Sequence, residues 1–377
     1  NADTAERIDF SLNKVSGQDD YKVFFLGDMH LANRTNDNNQ FKDFTDDFNS
    51  YRNRFPNKKM YAITLGDMTW DLYWYNNKYS IPEYLNTINS QVKGIQIFHT
   101  IGNHDFDYKA TSDFEAGSKF RTNIAPLYYS FNIGKVHVIA MKSTDYGGKK
   151  KYVERFTEEQ LEWLKKDLSY VPEGTTVFLN IHAPVANTTV KGGDNVRNAN
   201  ALFRILRPYK VHIFSGHTHF YENSLPAAGI YEHNIGAACG AWWAGDVNRC
   251  GAPNGYLVVT VKGNDVKWRY KATGRPTDYQ FRVYKPGEFE TQKQYVVANI
   301  WDWDMAYTVN WYEDGLLKGA MQQFDDEDQD YLTMKKGKRT GYHTRHLFRA
   351  CPSKQAKKIK IEVKNRFGEI FIQEVEL

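Results

Sequence analysis

The sequence is poor in cysteine, with three in 377 residues. Such a small, odd number excludes a fold held together by a framework of disulfide bonds. Cys239 and Cys250 are close enough in the sequence to pair across a loop, which would leave Cys351 alone. The alternative is three free, mostly buried thiols. The sequence leaves both open, and in either case a hydrophobic core must stabilise the fold.

The sequence also lacks long hydrophobic runs and a strong charge of either sign. No apolar stretch approaches the ~20 residues that span a bilayer, so no transmembrane segment is predicted. The net charge of +4, with a pI of about 8.6, is too small to indicate binding to nucleic acid or to a membrane surface. No signal peptide is visible, and the chain begins at Asn1 without a methionine, so we expect that a leader or upstream segment has been removed.

The composition is that of a globular protein, with 41% hydrophobic and 25% charged residues. Residues 1–20 are polar and are predicted to be a lead-in segment. From 21 to 275, short strand-like runs alternate with helical patterns, which predicts an α/β fold with helices covering both faces. After a linker with proline and glycine at 272–288, helical spacing disappears. Several short strands then predict a β-sandwich domain over 285–377.

Five strand-like runs of the α/β region end in residues of the kinds that bind metals. Each run is apolar and bounded by glycine or polar residues, which is typical of a buried strand. In open α/β sheets, residues at the carboxyl ends of strands meet in one crevice, so we expect these side chains to converge. The motifs at the ends of the runs are Asp28-Met29-His30, Gly66-Asp67, Gly102-Asn103-His104-Asp105, His182 and Gly216-His217-Thr218-His219.

The spacing within the motifs predicts which side chains point together. In a strand, Asp28 and His30 point to the same side because they are two residues apart, and His217 and His219 share that relation. His104 follows Asn103 directly, so its side chain should point elsewhere. Oxygen and imidazole ligands without cysteine suit zinc, iron or manganese.

The order of these motifs, D-x-H, G-D, G-N-H-D, H and G-H-x-H, resembles the calcineurin-like metallophosphoesterase superfamily. The resemblance covers residues 28–219. It implies a four-layer α/β/β/α sandwich, followed here by the C-terminal β-sandwich. It also implies two divalent metal ions (Mn, Zn or Fe) bridged by Asp67. One ion would be held by Asp28, His30, Asp67 and His219, and the other by Asp67, Asn103, His182 and His217.

The same resemblance implies roles for the third motif. His104 would be the general acid, with Asp105 orienting its imidazole ring. Asn103 and His104 would also contact the substrate. The expected activity is hydrolysis of a phosphomonoester or a phosphodiester by attack of a metal-bound hydroxide.

Three tryptophans, Trp70, Trp242 and Trp243, are predicted in loops at the same sheet edge. Aromatic side chains there could wall a substrate pocket, and the alternative is that they pack the loops. Purple acid phosphatases, a branch of the superfamily, have a tyrosine ligand three residues after the bridging aspartate. Trp70 stands at that position, so a ferric ion with a tyrosinate ligand is not expected.

Two other functions remain open from the sequence. One is a nuclease acting on nucleic acid, to which the small net charge and dispersed lysines give little support. The other is a catalytically silent metal-containing binding protein. The layout with an appended β domain also resembles exported bacterial phosphoesterases, which implies export to the periplasm or cell surface. Those proteins often have a small N-terminal β domain that is absent here, so we expect the chain to be a fragment.

Overall fold

The computed structural model describes residues 15–186 and 194–377. Residues 1–14, which make up most of the predicted lead-in segment, lie outside the described residues. The first elements in chain order are β1 Asp20–Leu26, α1 Asp37–Asn53, β2 Lys59–Leu65, α2 Ile81–Gln91, β3 Gln96–Thr100, α3 Asp113–Ala116 and α4 Ser118–Asn123. Short 3₁₀ turns at Asp71–Tyr73 and Asn103–Asp105 follow β2 and β3.

The next part of the chain alternates between strands and two further helices. Its elements are β4 Tyr129–Ile133, β5 Val136–Ala140, β6 Thr144–Gly148, β7 Lys151–Glu154, α5 Glu158–Leu168, β8 Thr176–Asn180, α6 Ala199–Leu206, β9 Lys210–Ser215, β10 Glu222–Ala227, β11 Ile230–Asn234, β12 Gly255–Lys262 and β13 Asp265–Ala272. Two sheets result, in the orders β13-β12-β1-β2-β3 and β10-β11-β9-β8-β5-β4, while β6 and β7 form a separate hairpin.

These elements stack in four layers, because each central strand buries both of its faces. In β1, Val23 and Phe25 pack between the two sheets, whereas Phe24 and Leu26 pack against α1 and α2. Phe25 stacks on Phe214 of the second sheet with ring centroids 3.6 Å apart. The outer face of the second sheet packs against α5 and α6. The predicted α/β/β/α sandwich is therefore confirmed.

Local sequence signals set the ends of several helices. Thr157 and Gln160 form a capping box at the start of α5. Ser80 and Glu83 form another at the start of α2, beside Pro82. Each box satisfies backbone N–H groups that have no partner within the first turn of a helix.

The C-terminal region is a second sandwich, as predicted. Its two sheets, in the orders β14-β15-β19-β18 and β17-β16-β20-β21, enclose their own hydrophobic core. A short helix, which the sequence did not predict, follows β18. The elements are β14 Arg282–Tyr284, β15 Val296–Asn299, β16 Thr308–Glu313, β17 Leu316–Ala320, β18 Gln322–Asp326, α7 Gln329–Met334, β19 Thr344–Ala350, β20 Lys358–Lys364 and β21 Ile370–Glu376.

The segment predicted as a linker at 272–288 is packed rather than loose. Gln280 donates a hydrogen bond to the carbonyl of Tyr270 at 2.8 Å, and Phe281 is fully buried. β14 lies inside this segment and pairs with β15. The C-terminal sheet thus begins three residues before the predicted domain start at 285, and the boundaries themselves stay predictions.

All three cysteines are free, so the alternative of a bond between Cys239 and Cys250 is wrong. Cys250 Sγ instead accepts a hydrogen bond from the backbone of Tyr221 at 3.2 Å. Cys239 Sγ lies 3.8 Å from His219 Nδ1. The two buried thiols therefore contact different neighbours.

Among the helices of the described residues, none combines the length and the apolar character that crossing a membrane requires.

The two parts of the protein share a polar contact at Asp302, just after β15. Its carboxylate accepts hydrogen bonds from Tyr221 Oη at 2.6 Å and Asn223 Nδ2 at 3.0 Å, both from the larger α/β region. Trp301 packs into the core between the two large sheets. Burial raises the pKa of Asp302 to about 6. The sandwich is therefore fastened to the larger region by a buried carboxylate.

We expect Asp302→Ala to lower the free energy of unfolding by about 3 kcal/mol, because the buried hydroxyl of Tyr221 and the backbone N–H of Tyr270 lose their carboxylate acceptor. Urea unfolding followed by tryptophan fluorescence measures this change. The exposed Asp278 offers a matched Asp→Ala control that should change it by less than about 0.5 kcal/mol. Equal unfolding midpoints for Asp302→Ala and the wild type would contradict a stabilising role for this contact.

Candidate metal centre

The five motif segments meet at one edge of the two stacked sheets. β1, β2 and β3 run parallel in one sheet, β8 and β9 run parallel in the other, and one motif follows the carboxyl end of each strand. The structure thus brings together all seven residues predicted as metal ligands, and six of them are buried. They are Asp28, His30, Asp67, Asn103, His182, His217 and His219.

One group of ligand atoms surrounds His182 Nε2. This nitrogen lies 2.9 Å from Asn103 Oδ1, 3.1 Å from His217 Nδ1 and 3.2 Å from Asp67 Oδ2. On the other side of the ring, Nδ1 donates to the carbonyl of Leu65 at 2.7 Å, so Nε2 is the nitrogen that would offer its lone pair to a metal once the ring is neutral. Four atoms of the kinds that bind divalent metals therefore lie around one point.

A second group surrounds His30 Nε2. This nitrogen lies 3.1 Å from His219 Nε2, 3.6 Å from Asp67 Oδ2 and 4.0 Å from Asp28 Oδ1. His219 Nδ1 donates to the carbonyl of Gly240, which again leaves Nε2 as the acceptor that faces the group. The other nitrogen of His30, Nδ1, is buried and has no hydrogen-bond partner among the described residues.

Asp67 belongs to both groups through a single oxygen. Its Oδ2 atom is the one that lies near His30 and His182, while Oδ1 accepts a hydrogen bond from the backbone N–H of His104 at 2.8 Å. That hydrogen bond fixes the rotation of the carboxylate. The arrangement therefore points one oxygen at both groups.

The electrostatics of the groups favour a bound cation. Burial lowers the pKa of His30 and His217 well below the ordinary value, and it lowers the pKa of His219 to about 3. These rings are therefore neutral, which is the form that binds a metal. Oxygen and imidazole donors match the preferences of Zn, Mn and Fe. The donor set thus fits divalent ions.

The two carboxylates and His182 have pKa values shifted in different directions. Burial raises the pKa of Asp28 to about 7. Burial would also raise the pKa of Asp67, but the charges of His182 and His104 outweigh it and hold that pKa well below its usual range. For His182, burial lowers the pKa, yet the carboxylate of Asp67 outweighs this and raises it to about 10. The second proton on the His182 ring thus places beside the Asp67 carboxylate the positive charge that a metal ion would supply.

The backbone of the ligand segments differs from the strand geometry that the spacing predicted. β1 and β9 end before the ligands, and five of the seven ligand residues have left-handed φ angles between 44° and 72°. The side chains of Asp28 and His30 therefore reach the cluster from a turn rather than from a strand. The same holds for His217 and His219. Non-glycine residues with positive φ are uncommon and concentrate at functional sites.

His104 is oriented by Asp71 and not by Asp105, so this part of the prediction is wrong. His104 Nδ1 lies 2.7 Å from Asp71 Oδ1. Asp105 instead accepts hydrogen bonds from the backbone of Thr69 and Gly102, both at 3.0 Å. The 3₁₀ turn over residues 103–105 sends adjacent side chains to different sides, which places Asp105 behind the site. The only sequence signal for Asp71 was its position directly after Trp70.

The environment of His104 suits a side chain that meets substrate. Its side chain is 27% exposed, and its ring centroid lies 5.3 Å from that of His30. Burial lowers the pKa of His104, but the charge of Asp67 and the hydrogen bond to Asp71 outweigh it, so the pKa is raised overall. His104 therefore lies beside the ligand groups without belonging to either of them.

Of the three tryptophans that could wall a substrate pocket, two lie at the ligand groups. The ring of Trp70 is 5.3 Å from that of His30, and the ring of Trp242 stacks on His219 at 4.2 Å. Trp243 faces elsewhere, since its indole N–H donates to the carbonyl of Met29 at 2.8 Å. Trp70 and Trp242 can therefore wall a substrate pocket, while Trp243 packs the loop.

Three further residues at the site escaped the sequence reasoning. Tyr152 of β7 accepts a hydrogen bond through its hydroxyl from Asn103 Nδ2 at 3.2 Å. The guanidinium groups of Arg34 and Arg249 lie 4.4 Å and 4.7 Å from the rings of Trp70 and Trp242. Nothing in the local sequence marks these three residues, because the contacts form only when distant segments meet.

The thiol of Cys239, a residue outside the five motifs, lies close to the ligand groups. Cys239 belongs to a buried cluster with His30 and His219. However, its sulfur lies 3.8 Å from His219 Nδ1, the nitrogen that faces Gly240 rather than the ligand group. Burial also raises the pKa of Cys239 well above its ordinary value, so the thiol stays protonated. Cys239 thus lies behind His219, on the side of the ring that faces away from the ligand group.

Two family models match the chain. One, described as calcineurin-like phosphoesterase, matches residues 21–221, and one described as C terminal of calcineurin-like phosphoesterase matches residues 232–371. The chain belongs to the calcineurin-like phosphoesterase family. The resemblance predicted from the motifs is confirmed.

Curated relatives of this family member include plant phosphatases. This chain is 24% identical over 197 residues to purple acid phosphatase 1 of Ipomoea batatas, and the match covers 47% of this chain and 40% of that protein. It is 28% identical over 214 residues to purple acid phosphatase 15 of Arabidopsis thaliana, covering 54% of this chain and 35% of that protein. The chain thus spans less than half the length of these relatives.

Two solved structures of other proteins also align with this chain. A dimetal phosphatase from Danio rerio aligns with a TM-score of 0.47 and 13% identity, covering 67% of this chain and 99% of that chain. A 5'-nucleotidase from Candida albicans aligns with a TM-score of 0.41 and 14% identity, covering 70% of this chain and 53% of that chain.

Two glycines leave the space that the carboxylates of this phosphoesterase occupy. A Cβ atom on Gly102 would lie 2.3 Å from Asp67 Oδ1, and one on Gly216 would lie 2.4 Å from Asp28 Oδ2. Neither glycine has a positive φ, so an alanine there would act through steric overlap alone. We expect Gly102→Ala and Gly216→Ala to weaken Mn²⁺ binding by roughly tenfold or more, as displaced metal-site residues do.

Equilibrium dialysis with elemental analysis measures this binding. Gly147→Ala is the matched control, because its Cβ would meet no atom closer than 3.4 Å. Circular dichroism checks that all three variants fold. Mn²⁺ affinities of the two site variants that equal the control would contradict the placement of these carboxylates at a metal site.

Proposed function

We propose that this chain hydrolyses phosphate esters at a centre of two divalent metal ions. The observation that carries the proposal is the sharing of Asp67 Oδ2 between two separate groups of ligand atoms, one around His182 and one around His30. Seven ligand residues are more than one ion takes from a protein in the usual tetrahedral or octahedral geometry. A shared carboxylate oxygen is the expected link between two ions.

Each ligand residue is assigned to the ion whose group of ligand atoms it belongs to. Asp28, His30 and His219 would hold one ion, Asn103, His182 and His217 the other, and Asp67 both. When bound, such ions supply Lewis acidity that stabilises the developing charge of a phosphoryl group. Mn, Zn or Fe suits the ligands. Trp70 in place of a tyrosine ligand argues against a tyrosinate-bound ferric ion.

His104 would act as the general acid. Since Asp71 accepts from Nδ1, the exchangeable proton that can be given to a leaving group is on Nε2. Asp71 fixes the ring in the way that a carboxylate orients a catalytic histidine in other hydrolases. Partial exposure of His104 lets a substrate reach it. Protonation of the leaving alkoxide would then complete cleavage of the P–O bond.

The surrounding side chains would bind and shield the ester. Tyr152 holds the Asn103 amide, so that its oxygen faces His182. Trp70 and Trp242 flank His30 at ring distances of 5.3 and 6.2 Å, and their apolar faces would exclude water from the reacting phosphate. We propose a phosphomonoester rather than a phosphodiester as the preferred substrate, because the curated relatives are phosphatases. Export to the periplasm or cell surface stays a prediction that rests on resemblance alone.

We expect the wild-type protein reloaded with Mn²⁺ or Zn²⁺ to bind two ions per chain and to cleave p-nitrophenyl phosphate faster than bis(p-nitrophenyl) phosphate. Asp67→Ala should lower occupancy at both sites and abolish hydrolysis, because it removes the shared ligand. Asp28→Ala should empty mainly one site. Elemental analysis and the two assays measure these outcomes.

Saturation at one ion or fewer would contradict the two-ion centre. Faster cleavage of the diester would reverse the substrate order, and an oligonucleotide included in the same assays tests for a nuclease. No hydrolysis of any ester by a chain loaded with two ions would favour a catalytically silent binding protein.

We expect His104→Ala to keep both metal ions and to lose about 10²- to 10⁴-fold in rate on an alkyl phosphate. The loss on p-nitrophenyl phosphate should be much smaller, because nitrophenolate leaves readily without a proton. Comparing the two substrates in steady-state assays measures the difference. His343→Ala, which changes an exposed histidine of the C-terminal region, is the control. An equal loss on both substrates, or loss of an ion, would show that His104 is not the acid.

A further inference from the structure

A segment far along the chain lies against the first ligand motif. Residues 238–243, called here the tryptophan loop, make three hydrogen bonds to consecutive carbonyls of residues 27–29. Ala238 N donates to Gly27 O at 2.9 Å and Cys239 N donates to Asp28 O at 3.3 Å. Trp243 Nε1 donates to Met29 O at 2.8 Å. The loop thus fixes the backbone that carries Asp28 and His30.

The same loop holds a third ligand, His219. The carbonyl of Gly240 accepts the hydrogen bond from His219 Nδ1, and the ring of Trp242 stacks on the imidazole at 4.2 Å. These contacts fix both the tautomer and the tilt of the ring. Asp28, His30 and His219 are the three residues assigned to one ion alone. Among the described residues, no hydrogen bond, ion pair or ring contact joins the loop to Asn103, His182 or His217.

The loop is strained in the conformation that makes these contacts. Trp242 and Trp243 have φ angles of 58° and 62°, a region that bulky residues rarely adopt. The left-handed conformation costs roughly 1–2 kcal/mol for each such residue. Strain of this kind persists only where neighbouring contacts hold it. For Trp243 these contacts include the indole N–H bond to Met29, the packing of its ring against Phe41, and a hydrogen bond from Gln40 Nε2 to its carbonyl at 3.1 Å.

We propose that Trp243 is a positioning residue for one of the two metal sites, the one formed by Asp28, His30 and His219. Its indole N–H holds the strained loop against the first motif, and the loop holds His219. The other site, formed by Asn103, His182 and His217, does not depend on it. The inference rests on the proposed two-ion centre. It assigns Trp243 a role in metal affinity rather than in contact with substrate.

The test is Trp243→Phe, which keeps an aromatic ring against Phe41 and removes only the N–H donor. Affinity for Mn²⁺ is measured by titration in two backgrounds that each leave one site intact. With His217→Ala, which preserves the site beside Trp243, adding Trp243→Phe should weaken Mn²⁺ binding about tenfold, the lower end for residues that orient metal ligands. With Asp28→Ala, which preserves the other site, it should change affinity less than twofold.

Two further variants guard against a general effect on folding. Trp163→Phe removes an indole on α5, far from the site, and should leave both affinities unchanged. Gly240→Ala disturbs the same loop independently, because its Cβ would lie 1.9 Å from Asn254 Oδ1, and it should weaken the same site as Trp243→Phe. Circular dichroism of the metal-free variants checks that each one folds.

The outcomes separate the inference from the proposed function. Equal weakening in both backgrounds, or none in the His217→Ala background, would overturn the role of Trp243 while leaving the two-ion centre intact. A wild-type chain that binds one ion or fewer would instead overturn the proposed function. Weakening confined to the His217→Ala background, shared by Gly240→Ala and absent from Trp163→Phe, would establish the inference.

Discussion

The buried carboxylate of Asp67 is the constraint on which the site depends. One of its oxygens faces imidazoles from both ligand groups, and the other is held by the backbone of His104. A carboxylate that is almost fully buried requires positive charge or several hydrogen bonds close by. Gly102 leaves the space for it, since any side chain there would overlap it. The two sheets therefore have to bring their strand ends together around this group.

Strain concentrates around the same carboxylate. Five ligand residues and two tryptophans adopt left-handed backbone conformations. Turns of this kind aim side chains from separate strands at one point. The hydrophobic layers on both sides of each sheet hold the strand ends in place. Stability of the layers thus offsets the local cost of the turns.

The C-terminal sandwich supports the site from outside. Tyr331, Met334 and Tyr342 pack with Trp242 and Ala241 in a small cluster beside the tryptophan loop. The guanidinium of Arg249 lies between the rings of Trp242 and Tyr342, at 4.7 and 4.3 Å. The sandwich therefore contributes packing to one wall of the site, while the ligand residues all come from the larger region.

The sequence by itself determined the five strands that carry the motifs, the order of those motifs and the identities of the seven converging residues. These follow from short-range patterns, such as the apolar run of β1 that ends just before Asp28 and the capping box at Thr157. Only the tertiary structure decided that Asp71 rather than Asp105 orients His104, that the cysteines are free, and that Trp243 faces Met29, which lies 214 residues away. The physical reason is that side-chain directions in turns depend on backbone angles and on partners distant in the chain, and neither is encoded in local periodicity.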